Sequence, residues 1–274
     1  MKFRRPHFFR AESAFTMIEI ALCLAIIGFA LVAIIGVLPI GMSTQRDTRE
    51  ETTINQDATM LLEAIRNGVR GANDLTNYVY AITNYSTYYN SLGVAGPTAQ
   101  NGYTFDSASV TAPIYPLGPY SATPLTNGAT IIGLLSTPEF IADAPTNFVA
   151  AASLYNLSGY SNHVVAYVRS FSGLAAEKPP QDNAIMVGDT FSYRILCVNA
   201  PVPFDTNNAF QGFSRQLAGN QRELRLTFLW PQLPGNRLGN KKQTFRASIA
   251  GQLAHDPTNH FLYFYQPQSF KPQP

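Results

Sequence analysis

Charge is scarce in this chain of 274 residues: only 13% are Asp, Glu, Lys or Arg, against about 25% in an average soluble domain. The surface must therefore be built from Asn, Ser, Thr, Gln and Tyr, a composition commoner outside the cytosol. The 19 basic and 17 acidic residues leave a formal charge of +2, which excludes any global electrostatic attraction to nucleic acid or an anionic membrane. Cysteine is nearly missing. Cys23 and Cys197 cannot form a disulfide framework, and Cys23 lies inside an apolar run, so no bridge between them is expected. The four histidines, His7, His163, His255 and His260, are scattered without metal-ligand spacing. No phosphate loop, dinucleotide fingerprint, zinc spacing or nucleophile elbow occurs, so an enzyme is not expected. Asp182, Asp189, Asp205 and Asn207 offer oxygen donors for a calcium site, but no EF-type loop spacing joins them. What the chain does have is apolar material. At 46% hydrophobic and 12% aromatic it can bury a core, and wholesale disorder is excluded.

The apolar residues are concentrated first near the N-terminus. Residues 1–14, MKFRRPHFFRAESA, carry Lys2, Arg4, Arg5 and Arg10 against Glu12. Ala21 to Leu38 then runs 18 residues without a polar side chain, and Phe15 to Ile20 extends the run, broken only by Thr16 and Glu19. Such a helix is long enough to cross a ~30 Å hydrocarbon layer and longer than the ~7–15 residues of a signal-peptide core. No small-x-small cleavage site follows, and Leu22 precedes Cys23 where a lipoprotein signal has a small residue. Basic residues cluster before the span, while Arg46 and Arg49 beyond it are mixed with Asp47, Glu50 and Glu51. Positive-inside bias puts the N-terminus in the cytoplasm and everything after residue 40 outside.

Glu19 breaks this pattern. A carboxylate in an apolar span costs about 2.5–3.5 kcal/mol on insertion scales. Two readings stand: the side chain snorkels to the headgroups, or cleavage after Ala14 frees an amine at Phe15 that neutralises it.

The segment Ala14-Phe15-Thr16-Met17-Ile18-Glu19 resembles the type IV prepilin processing motif, and Ala25-Ile26-Ile27-Gly28 matches that family's downstream signature at the same offset from Glu19. The resemblance covers about residues 10–65. It implies that prepilin peptidase cuts before Phe15 and methylates the new N-terminus. It further implies that the helix anchors the subunit in the bacterial inner membrane and later forms a filament core. Other pilin or pseudopilin subunits and an inner-membrane assembly platform with its ATPase are the implied partners. Ala14 stands where the family usually has Gly, and Pro39 lies three residues beyond the helix-bending Pro of major pilins. Leu38-Pro39-Ile40-Gly41 followed by a long head looks more like minor pilins and pseudopilins, some of which bind calcium.

Beyond the span, Ile54, Ala58, Leu61 and Ile65 form a helical stripe widened by Leu62 and Val69, and Gly68 and Gly71 supply a stop. The pattern predicts one helix from Phe15 to Asn67, ~80 Å long, bent or loosened near Gly36, Pro39 and Gly41. Residues 71–168 contain no Lys or Arg and only Asp74, Asp106, Glu139 and Asp143 as charges, while eight of the 14 tyrosines fall between Tyr78 and Tyr120. Strands and ordered loops are expected there, without helices. The tyrosines either stack on sugars or partners or fill a loop-rich surface.

Clearer strands follow. His163 to Phe171 is β-rich, and Phe191, Tyr193, Ile195 and Cys197 alternate with Ser192, Arg194 and Leu196. Leu224, Leu226, Phe228 and Trp230 share a face opposite Glu223, Arg225 and Thr227; Phe245, Ala247 and Ile249 alternate with Thr244, Arg246 and Ser248. The 12 residues from Pro231 to Lys242 read as a long loop joining these two strands into a hairpin. Phe261 to Tyr265 reads as a closing strand.

One local charge excess remains. Arg215, Arg222, Arg225, Arg237, Lys241, Lys242 and Arg246 face only Glu223, an excess of six. Arg222, Arg225, Arg237, Lys241, Lys242 and Arg246 form a candidate polyanion strip; the other reading is a solvated hairpin or a contact with the acidic 71–168 segment. The expected fold is α+β. A leader at 1–14, a transmembrane and filament-core helix at 15–41 and an amphipathic helix at 42–68 precede a β-rich head of antiparallel sheet at 69–274. The expected function is structural: a minor pilin or pseudopilin, anchored in the inner membrane with its head in the periplasm, then part of a pilus or pseudopilus. The rivals are a DNA-binding minor pilin for uptake and a membrane-tethered extracytoplasmic enzyme using the motif as an anchor.

Overall fold

A computed structural model describes residues 15–90, 92–104, 123–125, 127–142, 159–172, 191–202, 219–233, 237–256 and 262–270. The chain divides into two units, Met1–Glu51 and Thr52–Pro274. The first holds the apolar part of helix α1 (Met17–Arg66). Pro39 sits inside this helix without ending it, and both Ser43 Oγ and Thr44 Oγ1 donate to the Ile40 carbonyl at 2.9 Å one turn on. The expected loosening near Gly36, Pro39 and Gly41 does not interrupt the helical assignment.

In the second unit α1 buries Ile54, Asp57, Ala58, Leu61 and Ile65, positions spaced three and four apart on one face. The helix ends in a Schellman arrangement: Val69 N–H donates to Ala64 C=O at 3.1 Å and Gly68 N–H to Ile65 C=O at 3.0 Å. Gly68 has φ 57°, and a Cβ there would collide with the Tyr265 carbonyl oxygen, so glycine is required twice over.

After a 3₁₀ turn at Asn73–Asn77 come β1 (Val79–Tyr89), β2 (Ala95–Thr104), β3 (Thr123–Pro124), α2 (Gly128–Leu135), β4 (Phe140–Ala142), β5 (Gly159–Arg169), β6 (Ser192–Pro201), β7 (Gln221–Leu233), β8 (Arg237–Ala250), β9 (Gln252–His255) and β10 (Tyr263–Gln266). The main sheet has the order β3-β2-β1-β5-β6-β7-β8, with β4 also on β5. Every pairing in it is antiparallel except the two-residue β2–β3 contact. Period-2 alternation turns Tyr193, Ile195 and Cys197 of β6 and Leu224, Leu226, Phe228 and Trp230 of β7 inward. There they share one core with the α1 stripe, α2 and β10.

Three expectations are corrected. A helix does occur within 71–168. In α2, Asn127 accepts at its side chain from Thr130 N–H (2.8 Å) and Oγ1 (2.9 Å), capping GATIIGLL, whose last five residues are all buried. The 12-residue hairpin loop is replaced by paired strand: β7 and β8 stay in register to Leu233 and Arg237, with an irregularity between Trp230 and Gln232 where Pro231 has no N–H to donate. The closing strand is β10, which pairs with β9 in a separate two-stranded sheet and does not join the main one; Phe261 lies outside the described residues.

Candidate functional site

At the start of α1, Thr16 and Glu19 form a reciprocal cap. Thr16 N–H and its hydroxyl each donate to Glu19 Oε2 at 3.0 Å, and Glu19 N–H donates to Thr16 Oγ1 at 3.3 Å. This is the capping-box geometry, with the carboxylate at the positive end of the helix. Phe15 is 80% exposed immediately before it. Ala14, the other half of the predicted cleavage site, lies outside the described residues. Ala25, Ile26, Ile27 and Gly28 follow on the same helix, exposed, and nothing within 4 Å would meet a Cβ on Gly28. This helix is long and apolar enough to cross a membrane, and none of its most apolar stretch is buried within the chain. Cys23 is exposed on it.

The predicted basic strip does not form one surface. Arg222 falls at the same strand parity as Leu224 and Phe228 and is buried. Its Nε donates to Asn199 Oδ1 (2.7 Å) and its Nη2 to the Asn199 carbonyl (2.9 Å). Burial lowers the guanidinium's affinity for its proton, and Tyr265 beside it works in the opposite direction. Arg225 faces the other way, towards Glu223 (3.6 Å) and Glu139 (3.9 Å), and Arg246 also approaches Glu223 (3.9 Å). Lys241 and Lys242 are neighbours in β8 and take opposite faces, while Arg237 stands exposed at the strand's start. Arg215 lies outside the described residues, as do Asp182, Asp189, Asp205 and Asn207 of the calcium reading and His7 and His260. Among the described residues no group of three or more His, Cys, Asp or Glu side chains is placed to hold a metal ion.

Two buried polar centres lie in the second unit, both missed in the sequence. In one, the Asp57 carboxylate of α1 accepts from Tyr193 Oη at 2.7 Å and from Ser172 Oγ. Burial raises the Asp57 pKa despite these bonds, and burial next to the carboxylate holds the Tyr193 phenol well above its ordinary value. In the other, Asn199 collects Arg222, the Tyr265 hydroxyl (2.7 Å to Oδ1) and the Ser136 carbonyl (2.6 Å from Nδ2). Cys197 on the same strand donates its thiol to Leu135 C=O at 2.8 Å, and burial pushes its pKa up to about 12. It is an inert structural thiol. A hydrophobic stripe with an acid at the i+3 position, and a strand parity that includes an arginine, were the signals that marked Asp57 and Arg222. Both centres tie α1, α2 and β10 to the sheet. No family model, curated protein or solved structure matches the chain.

Proposed function

We propose that the chain is a structural subunit, of minor-pilin or pseudopilin type, of a bacterial type IV pilus-like or type II secretion-like filament. The observation that carries this reading is the placement of Glu19: one helical turn from the exposed Phe15, at the head of an apolar helix segment whose most apolar stretch is not buried among the described residues. An unpaired surface of this kind is stable only in lipid or among other apolar helices. The helix serves first as an inner-membrane anchor, with residues 1–14 cytoplasmic and the β-rich unit periplasmic. After prepilin peptidase removes 1–14, the same surface packs against other pilin or pseudopilin helices on the assembly platform. The amine freed at Phe15 of one subunit supplies the cation that the Glu19 carboxylate of another lacks in an apolar environment.

Mass spectrometry of the assembled protein tests this: an N-terminus at Phe15 with a methylated amine is expected, and an intact Met1 overturns it. Ala14→Gly is expected to be cleaved as fast or faster. Glu19→Gln separates the two roles of that side chain, because Gln keeps the capping box and loses the charge. Insertion should be unaffected or improved and filament incorporation should fall for Glu19→Gln as much as for Glu19→Ala. Normal incorporation of the Gln variant leaves Glu19 as a cap alone.

A further inference from the structure

The main sheet ends on a long edge. β8 is paired with β7 throughout, and among the described residues no strand lies on its other side. In an antiparallel ladder alternate residues point their N–H and C=O away from the neighbour, so Arg237–Ala250 presents a row of backbone donors and acceptors. Its charged side chains are all basic, Arg237, Lys241, Lys242 and Arg246; Glu223 of β7 approaches Arg246 at 3.9 Å but leaves it exposed. Pairing two copies of β8 gathers like charges along one seam, which disfavours self-association through this edge. The same charges favour an edge partner rich in carboxylates.

The two flanks of β8 differ. Lys242, Thr244, Arg246 and Ser248 are exposed on one face, while Gln243, Phe245 and Ala247 on the other are half-buried. The Phe245 ring packs edge-on against Phe228 at 5.4 Å and rests on the core, so apolar surface at this edge is left partly covered. We propose that the β8 edge docks an extended acidic segment of a second protein by strand addition. Carboxylates of that segment lie beside Lys242 and Arg246, and an apolar side chain on its opposite face completes the cover of Phe245. Backbone bonds supply the affinity and the two alternating faces supply the specificity. This surface belongs to the β-rich unit and does not depend on the filament reading.

The test uses the full chain in detergent micelles with two peptides, one alternating Glu and Val and one alternating Lys and Val. The Glu–Val peptide is expected to bind, more weakly as salt rises, and to slow amide exchange within 237–250; the Lys–Val peptide is expected to do neither. Lys242→Glu with Arg246→Glu should weaken the Glu–Val peptide about tenfold or more and admit the Lys–Val peptide. Should that variant lose its native Trp230 fluorescence, Lys242→Gln with Arg246→Gln takes its place and must still weaken Glu–Val binding. Equal binding of both peptides, binding of neither, protection outside β8, or an unchanged affinity in the Gln variant overturns the proposal.

Discussion

The Asp57 carboxylate, on the buried face of α1, is held by the Tyr193 hydroxyl of β6 at 2.7 Å. A helix and a strand 136 residues apart are thereby joined through an acid that has lost its water. Burial raises its pKa from the ordinary 3.8, so the folded state takes up the proton before the unfolded chain does. Wherever the folded state binds more protons, stability falls as pH rises. The contribution is most favourable below the unfolded value and is lost as pH climbs through the raised folded one. Asp57→Asn removes this titration. The stability of the native chain relative to the Asn variant should therefore decline from about pH 4 upward and level off once Asp57 is ionised. Trp230, the one tryptophan of the chain and buried, reports the urea transition at each pH. A difference independent of pH would show that Asp57 does not titrate differently in the two states.

Arg222 presents the opposite problem, a buried cation that donates to the neutral Asn199 and has Tyr265 beside it. Arg222→Ala leaves the Asn199 carbonyl and Oδ1 short of a donor and opens space in the core. Hydrogen bonds to a charged donor are worth about 1.5–3 kcal/mol, so a loss of roughly 2–4 kcal/mol is expected from chemical unfolding. Arg222→Lys should recover little, because a single ammonium cannot reproduce the two-pronged contact. Full rescue by Lys would mean that charge alone matters at this position.

The parity argument that places Leu224, Leu226, Phe228 and Trp230 inward also places Arg222 inward, yet the sequence alone invited grouping it with Arg225 and Lys242 as one basic strip. Charge counting ignores strand alternation; the register restores it. Asp57 was hidden for a related reason, since one acid among the polar residues of 43–67 looks like any solvated side chain until its spacing of three from Ile54 and four from Leu61 is counted. The Thr16-x-x-Glu19 spacing is that of a capping box, and the carboxylate that is costly in an apolar span is the one that closes the helix start. By contrast α2 had little periodic signal to offer: an apolar segment buried on nearly all sides carries no amphipathic pattern, and its Tyr-rich, charge-poor surroundings favoured strand. The strands β6 and β7 were legible because each has one buried and one more exposed face.

With its basic residues divided between two faces, the hairpin β7–β8 should bind nucleic acid poorly. Arg225 is engaged with Glu139 and Glu223, the exposed Arg246 lies only loosely beside Glu223 at 3.9 Å, and Lys241 and Lys242 point apart. Duplex DNA binding by the full chain in detergent is expected to be undetectable at physiological salt. At low salt, Lys241→Ala with Lys242→Ala should lower the log–log salt slope by no more than about one unit, since one phosphate contact contributes roughly 0.9. Submicromolar binding with a steep slope would move the protein to the DNA-uptake reading.

Removing the apolar part of α1 separates anchoring from folding. A chain that begins at Ser43 keeps Ile54, Asp57, Ala58, Leu61 and Ile65, all buried against the sheet core. It is expected to be soluble and to melt cooperatively, because the apolar stretch removed is not buried among the described residues. A chain that begins at Ala72 loses that stripe and leaves the Tyr193 hydroxyl without its carboxylate acceptor. The inward faces of Tyr193, Ile195 and Phe228 then become part of an exposed apolar patch. This second form should aggregate or bind a hydrophobic dye strongly, and Tyr193→Phe should not rescue it, since the missing term is apolar cover. Equal solubility and equal melting of the two forms would show that the sheet does not need the helix, and that the buried stripe of α1 is packing without consequence for the fold.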